Sequence, residues 1–216
     1  MIISCIGHAK FLIELENGQR IVTDPYDATC GYPVTETPAD VVLVSHGHHD
    51  HNAVDTMPES ARVIDQAGVY DLGDGVTLTA ITADHDDAGG SKRGKTLLFN
   101  LFAEGLHVGH MGDLGHIPTP EQRMQLGRTD VLMIPVGGHF TIDAVTAKEV
   151  AALLEARVVL PMHYRTRANA GWPIQPVESF TQLYQTPVEQ LDLLRIAAGD
   201  LECQPEVAVL LPQSLR

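Results

Sequence analysis

The sequence predicts an α/β protein in which two β-sheets pack face to face with helices on the outside. Three observations predict it. The first half is a succession of short apolar or alternating runs bounded by turn residues, and the second half inserts helical patterns between such runs. Across 216 residues, 44% are hydrophobic, enough for a sizeable core. No internal repeat, low-complexity tract or linker divides the chain, so one domain over residues 1–216 is expected.

Met1 to Ile6, Phe11 to Glu16 and Arg20 to Thr23 read as strands, with Asn17-Gly18 as a hairpin signal between the second and third. Asp24-Pro25 stops the third strand. Tyr26 to Ala39, broken by Gly31, Pro33 and Pro38, reads as a loop. The apolar run starting at Val41 has the pattern of a buried strand, Ala53 to Met57 of a helical turn or two, and Arg62 to Asp65 of a short strand. Gly73-Asp74-Gly75 turns into a strand over Val76 to Ile81. Thr96 to Phe102 and Leu106 to Met111 form a second hairpin through Ala103-Glu104-Gly105. Pro118 to Leu126 then reads as a helix and Val131 to Pro135 as a buried strand. In the helix over Asp143 to Ala156, Ala147, Val150, Ala151 and Leu154 share one face and Asp143 serves as N-cap. A strand over Val158 to Pro161, a helix over Pro176 to Leu183 and a strand over Val207 to Leu211 complete the chain.

Charge and cysteine content narrow the partners. Acidic residues outnumber basic ones 28 to 14, a net charge of −14, which disfavours nucleic acid and favours a small-molecule substrate. Cys5, Cys30 and Cys203 show no metal or disulfide spacing and fit a reducing compartment. With no signal-peptide pattern and no long apolar run, a cytoplasmic protein without a membrane partner is expected. A homo-oligomer is compatible with the sequence.

Val41 to Asn52 reads V-V-L-V-S-H-G-H-H-D-H-N and delivers His46, His48, Asp50 and His51 within six residues. Residues two apart on an extended segment face one side, so His46, His48 and Asp50 converge while the following loop turns His51. Imidazole and carboxylate donors without a cysteine suit zinc, and also accept manganese or iron.

The H-x-H-x-D-H pattern resembles the signature of the metallo-β-lactamase superfamily. Later segments match in order: His85 in T-A-D-H-D-D-A-G-G, Asp113 in H-M-G-D-L-G and His163 in V-V-L-P-M-H-Y. The resemblance implies a four-layer αββα sandwich with two mixed sheets. It implies two divalent ions, zinc before Mn2+ or Fe2+, one held by His46, His48 and His85, the other by Asp50, His51 and His163, with Asp113 bridging. A metal-bridging hydroxide oriented by Asp50 and Asp113 would attack a small ester, lactone or phosphodiester. A metal-dependent nuclease or phosphodiesterase acting on nucleic acid, and a non-catalytic metal-binding protein, are the alternatives. The absence of long insertions and the Asp86-Asp87 pair after His85 weaken RNA, thioester and β-lactam substrates.

Gly7-His8-Ala9, Ile21 to Pro25, Gly137 to Thr141 and Pro161 to Tyr164 further resemble a branch of the superfamily that includes ascorbate-6-phosphate lactonases. That resemblance implies that His8 and Asp24 stand behind the metal ligands and that His139 faces the substrate or its leaving group. His116 is a rival proton donor. Arg93, beside Lys92 in the loop after His85, is a candidate contact for an anionic group, and Trp172 for a pocket wall.

Overall fold

A computed structural model describes residues 1–216. β1 (Ile2–Gly7), β2 (Lys10–Glu14) and β3 (Arg20–Thr23) run antiparallel, and β4 (Val41–Leu43) and β5 (Arg62–Ile64) join them in parallel. β6 (Gly68–Gly73), β7 (Val76–Asp84), β8 (Lys95–Ala103) and β9 (Leu106–His110) form an antiparallel run that starts the second sheet. α1 (Pro120–Leu126) leads to β10 (Val131–Pro135), and α2 (Ala144–Leu153) to β11 (Val158–Met162), both strands parallel to β9. After α3 (Glu178–Thr181) come β12 (Val188–Leu191), β13 (Leu194–Arg195) and β14 (Val207–Leu210). β12 and β14 extend the second sheet, whereas β13 crosses to pair with β1 and close the first. No helix is long and apolar enough to cross a membrane.

The two sheets bury their inner faces against each other. Ile3, Phe11, Ile13, Ile21 and Leu43 from the first meet Leu78, Phe99, Leu101, Met133 and Leu160 from the second in one apolar cluster. On the outer face of the second sheet, Ala147, Val150, Ala151 and Leu154 of the α2 region pack against Leu132, Ile134, Val159 and Val209. The outer face of the first sheet is covered by Ala39 and Met57, which lie over Leu12, Val22, Val42 and Val44. This is the α/β sandwich of two mixed sheets expected from the sequence, with α1 and α2 both against the second sheet and a 3-10 turn at Val54–Thr56 beside the first.

The helix starts follow from their caps. The Asp143 side chain accepts from the Thr146 N–H, and Thr119 and Gln122 make a reciprocal capping box at α1. Four elements depart from the expectation. β6 was not anticipated, because Gly68 and Gly73 punctuate a stretch in which only Tyr70 and Leu72 face inward. β12 and β13 are too polar or too short to signal themselves. The helix expected over Pro176 to Leu183 is helical only from Glu178 to Thr181, since i→i+3 bonds such as Ser179 to Pro176 and Leu183 to Phe180 tighten its two ends.

Strand ends organise the site. His8 follows β1, Asp24 follows β3, His46 to His51 follow β4, His85 follows β7, Asp113 lies three residues past β9, and His163 follows β11. All these segments leave their strands at the C-terminal end, so the parallel and antiparallel parts of both sheets deliver them to one edge of the sandwich.

At the start of β2 the sandwich buries a cation. Lys10 is 1% exposed, with its Nζ 5.7 Å from the Tyr26 ring centroid, and burial pushes its ammonium down to about 8. A depressed lysine favours the fold in its neutral form, so its contribution is fully present above the unfolded lysine value and is lost as pH falls towards 8. Replacing it, Lys10→Met, is therefore expected to stabilise the fold at pH 7 by about 1–2 kcal/mol. Chemical denaturation of both proteins between pH 7 and 10.5 checks this. The advantage of Lys10→Met should shrink as pH rises, and a constant difference would sink the assignment.

Candidate metal centre

Seven side chains expected to hold metal converge at the strand ends. His46, His48 and His85 each offer one ligand atom within 4.8 Å of the others, and His46 Nε2 stands 2.9 Å from His48 Nδ1. Asp50, His51 and His163 form a second group of the same kind, joined by His8. Asp113 lies between them. Its Oδ2 is 3.2 Å from His85 Nε2 and 3.3 Å from His163 Nε2, and its Oδ1 is 3.2 Å from His51 Nε2.

The positioning of these groups is local and specific. Asp24, wholly buried, accepts from the Ser45 N–H at 2.7 Å, from the Ser45 hydroxyl at 2.7 Å and from His51 Nδ1 at 2.8 Å. That bond places the His51 proton on Nδ1 and leaves Nε2 as the lone-pair nitrogen facing Asp113 and Asp50. Ser45 Oγ also lies 2.9 Å from His46 Nδ1, so one carboxylate steadies a ligand of each group. The Asp113 backbone N–H donates to Thr96 Oγ1 at 3.1 Å. Gly112 makes this approach possible: its φ is +44°, and a Cβ there would stand 2.4 Å from Thr96 Oγ1. Ser45 and Thr96 were missed in the sequence. Ser45 had one signal, its place directly before His46, whereas Thr96 adjoins no candidate ligand in the sequence.

The electrostatics call for positive charge. Burial raises the Asp113 carboxyl, yet His163 and His51 outweigh it and hold it well below the usual range. Burial lowers His51, yet Asp113 and Asp24 outweigh that and hold its imidazole well above its ordinary value. Burial and His51 together push His46 down to about 3, leaving a neutral imidazole with its lone pair available. Buried His51 Nε2 and Asp113 Oδ1 have no hydrogen-bond partner although they face each other. A proton or a metal cation between them would satisfy both, and with Nδ1 bonded to Asp24 the Nε2 lone pair is the one open to a metal. Imidazole and carboxylate donors at these separations therefore fit metal ions, with His46, His48 and His85 on one side, Asp50, His51 and His163 on the other, and Asp113 between.

A cleft of about 570 Å³ opens onto this cluster. His48, Asp50, His85, Asp113 and His163 form its floor, and Arg93, Phe140 and Trp172 its walls. The Asp86 carboxylate accepts backbone N–H bonds from Ala88, Gly90, Lys92 and Arg93, which folds the loop and brings Arg93 to the cleft. The Arg93 guanidinium sits 5.5 Å from the Phe140 ring centroid. Lys92 instead pairs with Asp87 on the surface.

Two expected proton donors do not reach the cleft. His139 is exposed, because left-handed turns at Gly138 (φ 64°) and His139 (φ 59°) hand the inward position to Phe140. His116 is occupied on both ring nitrogens: Nε2 accepts from the Asp84 N–H and Nδ1 donates to the Ile117 carbonyl. It pins the loop after β9 to β7. Phe140 was the residue missed here, hidden beside a more conspicuous histidine.

Relatives share this architecture. A Beta-lactamase superfamily domain model matches residues 2–163. The chain belongs to the metallo-β-lactamase superfamily. Within the superfamily, a UPF0173 metal-dependent hydrolase of Pelotomaculum thermopropionicum is 30% identical over 208 residues, covering 81% of this chain and 86% of the relative. A Thermotoga maritima protein assigned as a Zn-dependent hydrolase of the superfamily is 38% identical, with a TM-score of 0.79 over 97% of both chains. Igni18, a metallo hydrolase from Ignicoccus hospitalis, shares the fold at 21% identity, with a TM-score of 0.69 over 98% of this chain and 95% of its own. This member of the superfamily is a metal-dependent hydrolase.

Loss of the Asp24 carboxylate should free His51 and Ser45 together. Asp24→Ala is expected to weaken metal affinity by about 10–100-fold. Competition with a chromophoric chelator measures this, and an affinity equal to wild type would show that the hydrogen bonds of Asp24 do not orient the ligands.

Proposed function

We propose that the protein is a dinuclear, zinc-preferring hydrolase of small esters, lactones or phosphodiesters that carry an anionic group. The observation that carries the reading is the cleft itself, where Arg93, Phe140 and Trp172 face the two ligand groups across a space sized for a small molecule. When bound, the ions supply Lewis acidity and acidify water at neutral pH. Asp50 and Asp113 are held ionised by the histidines around them, which suits them to hold the ions and orient the attacking water. Arg93 contributes the one guanidinium at the cleft and pairs with a phosphate or carboxylate on the substrate. Phe140 and Trp172 bury the adjoining apolar part. The net charge of −14 supports a small substrate over nucleic acid.

Elemental analysis of the purified protein is expected to find close to two ions per chain. Asp113→Ala should lower kcat by about 10²–10⁴-fold on any substrate. Arg93→Ala should instead raise KM by about 10–100-fold on esters that bear a phosphate or carboxylate, and leave neutral p-nitrophenyl esters unchanged. Equal effects on charged and neutral esters would refute the anionic substrate class. Faster, salt-sensitive cleavage of RNA would replace it with the nuclease reading.

A further inference from the structure

His8 has no task in the set of ligands just described, yet it is 3% exposed and neither of its ring nitrogens meets a hydrogen-bond partner. A buried polar atom left unpaired costs about 1–3 kcal/mol, and a phenylalanine would fill the same space without that cost. The imidazole is therefore aimed at something. Its Nε2 lies 3.3 Å from Asp50 Oδ2, and ligand atoms of His8, Asp50, His51 and His163 all fall within 4.8 Å of one another. The other ring nitrogen being unpartnered does not set His8 apart, since Nδ1 of His85 and His163 is unpartnered as well.

The backbone is built to hold the ring there. β1 and β2 slip register between Cys5 and Gly7, and His8 adopts φ 53°, a left-handed conformation uncommon for a residue with a side chain. Gly7 permits the turn, because a Cβ there would stand 2.7 Å from the Tyr32 ring. The His8 carbonyl accepts from the His163 N–H at 3.4 Å, and the two rings lie with centroids 4.2 Å apart. Trp172 closes over the His8 ring edge-on at 5.3 Å.

On the two-ion reading above, we propose that His8 is a further protein ligand of the ion held by Asp50, His51 and His163, in addition to the shared Asp113. Imidazole nitrogen suits zinc, iron and manganese alike, so the assignment does not depend on which of them is bound. Two rival roles exist for the same ring: packing against His163 and Trp172, and an N–H bond that merely steadies Asp50.

The test compares wild type with His8→Phe, which keeps the aromatic packing, and His8→Gln, which keeps a donor towards Asp50. Each protein is stripped of metal and titrated with Co2+, following the visible absorption, and with Zn2+ against a chelator. Thermal unfolding of the metal-free forms checks folding. Wild type is expected to bind two ions. In both variants the second ion should bind about 10–100-fold more weakly or not at all, and the Co2+ absorption of the second equivalent should change. Unchanged affinity and absorption in His8→Phe would overturn His8 as a ligand and leave the two-ion reading intact. Weaker binding that His8→Gln restores, with an unaltered Co2+ spectrum, would overturn ligation in favour of a positioning bond to Asp50. Fewer than two ions in wild type would overturn the two-ion reading, and the His8 assignment with it.

Discussion

A single buried carboxylate holds the chemistry of this protein in register. Asp24 ends β3 in a left-handed turn (φ 37°), and its two oxygens are shared among the backbone and hydroxyl of Ser45 and the ring of His51. Those bonds tie β3 to the segment leaving β4 and set which His51 nitrogen bears the proton. They also steady His46 through Ser45. Without them, the segment from His46 to His51 would be held by two backbone bonds, His51 N–H to His48 at 3.0 Å and Asp27 N–H to His49 at 3.2 Å. Burying an ion at such a site costs several kcal/mol unless it is fully hydrogen-bonded, and Asp24 is.

Charge balance extends the same logic outward. Asp50 and Asp113 face buried histidines, and while burial lowers His46, the Asp113 and Asp24 carboxylates shift His51 in the opposite direction. Of the seven non-glycine residues with positive φ, four lie at or beside the centre: His8, Asp24, His139 and His163. Backbone strain is thus concentrated where direction matters, while the two sheets, packed through side chains such as Phe99 and Ile13, supply the stability that tolerates it.

The sandwich and the core of the candidate ligand cluster were legible in the sequence because they rest on short-range patterns. Alternation marks the strands, the 3.6-residue period marks α2, and six consecutive residues carry four ligands. What was not legible depends on contacts between distant segments. β13 is two residues long and exists only because β1 offers it an edge. The inward turn at Phe140 is set by two successive left-handed residues, which the pair Gly137-Gly138 hints at but does not specify. His139 and His116 looked suited to proton transfer by residue type alone, and their surroundings decided otherwise. His8 and Asp24 were noticed through resemblance, but the hydrogen bonds that explain Asp24 needed the fold.

The pairing of β13 with β1 has a consequence for the order in which the molecule assembles. β1 carries His8 at its end, and Ser214 bonds the Ile6 carbonyl beside it, so the N-terminal strand is completed by residues some 200 positions away. During synthesis His46, His48, Asp50 and His51 emerge early, yet the first sheet cannot close its β1 edge until the chain has passed β13. Contacts of such long sequence separation are slow to form. Until His85 and His163 have followed, the early segment completes neither group. A cation that binds only the closed site acts by mass action on the last step, drawing the finished fold out of its precursors without hastening the first ones.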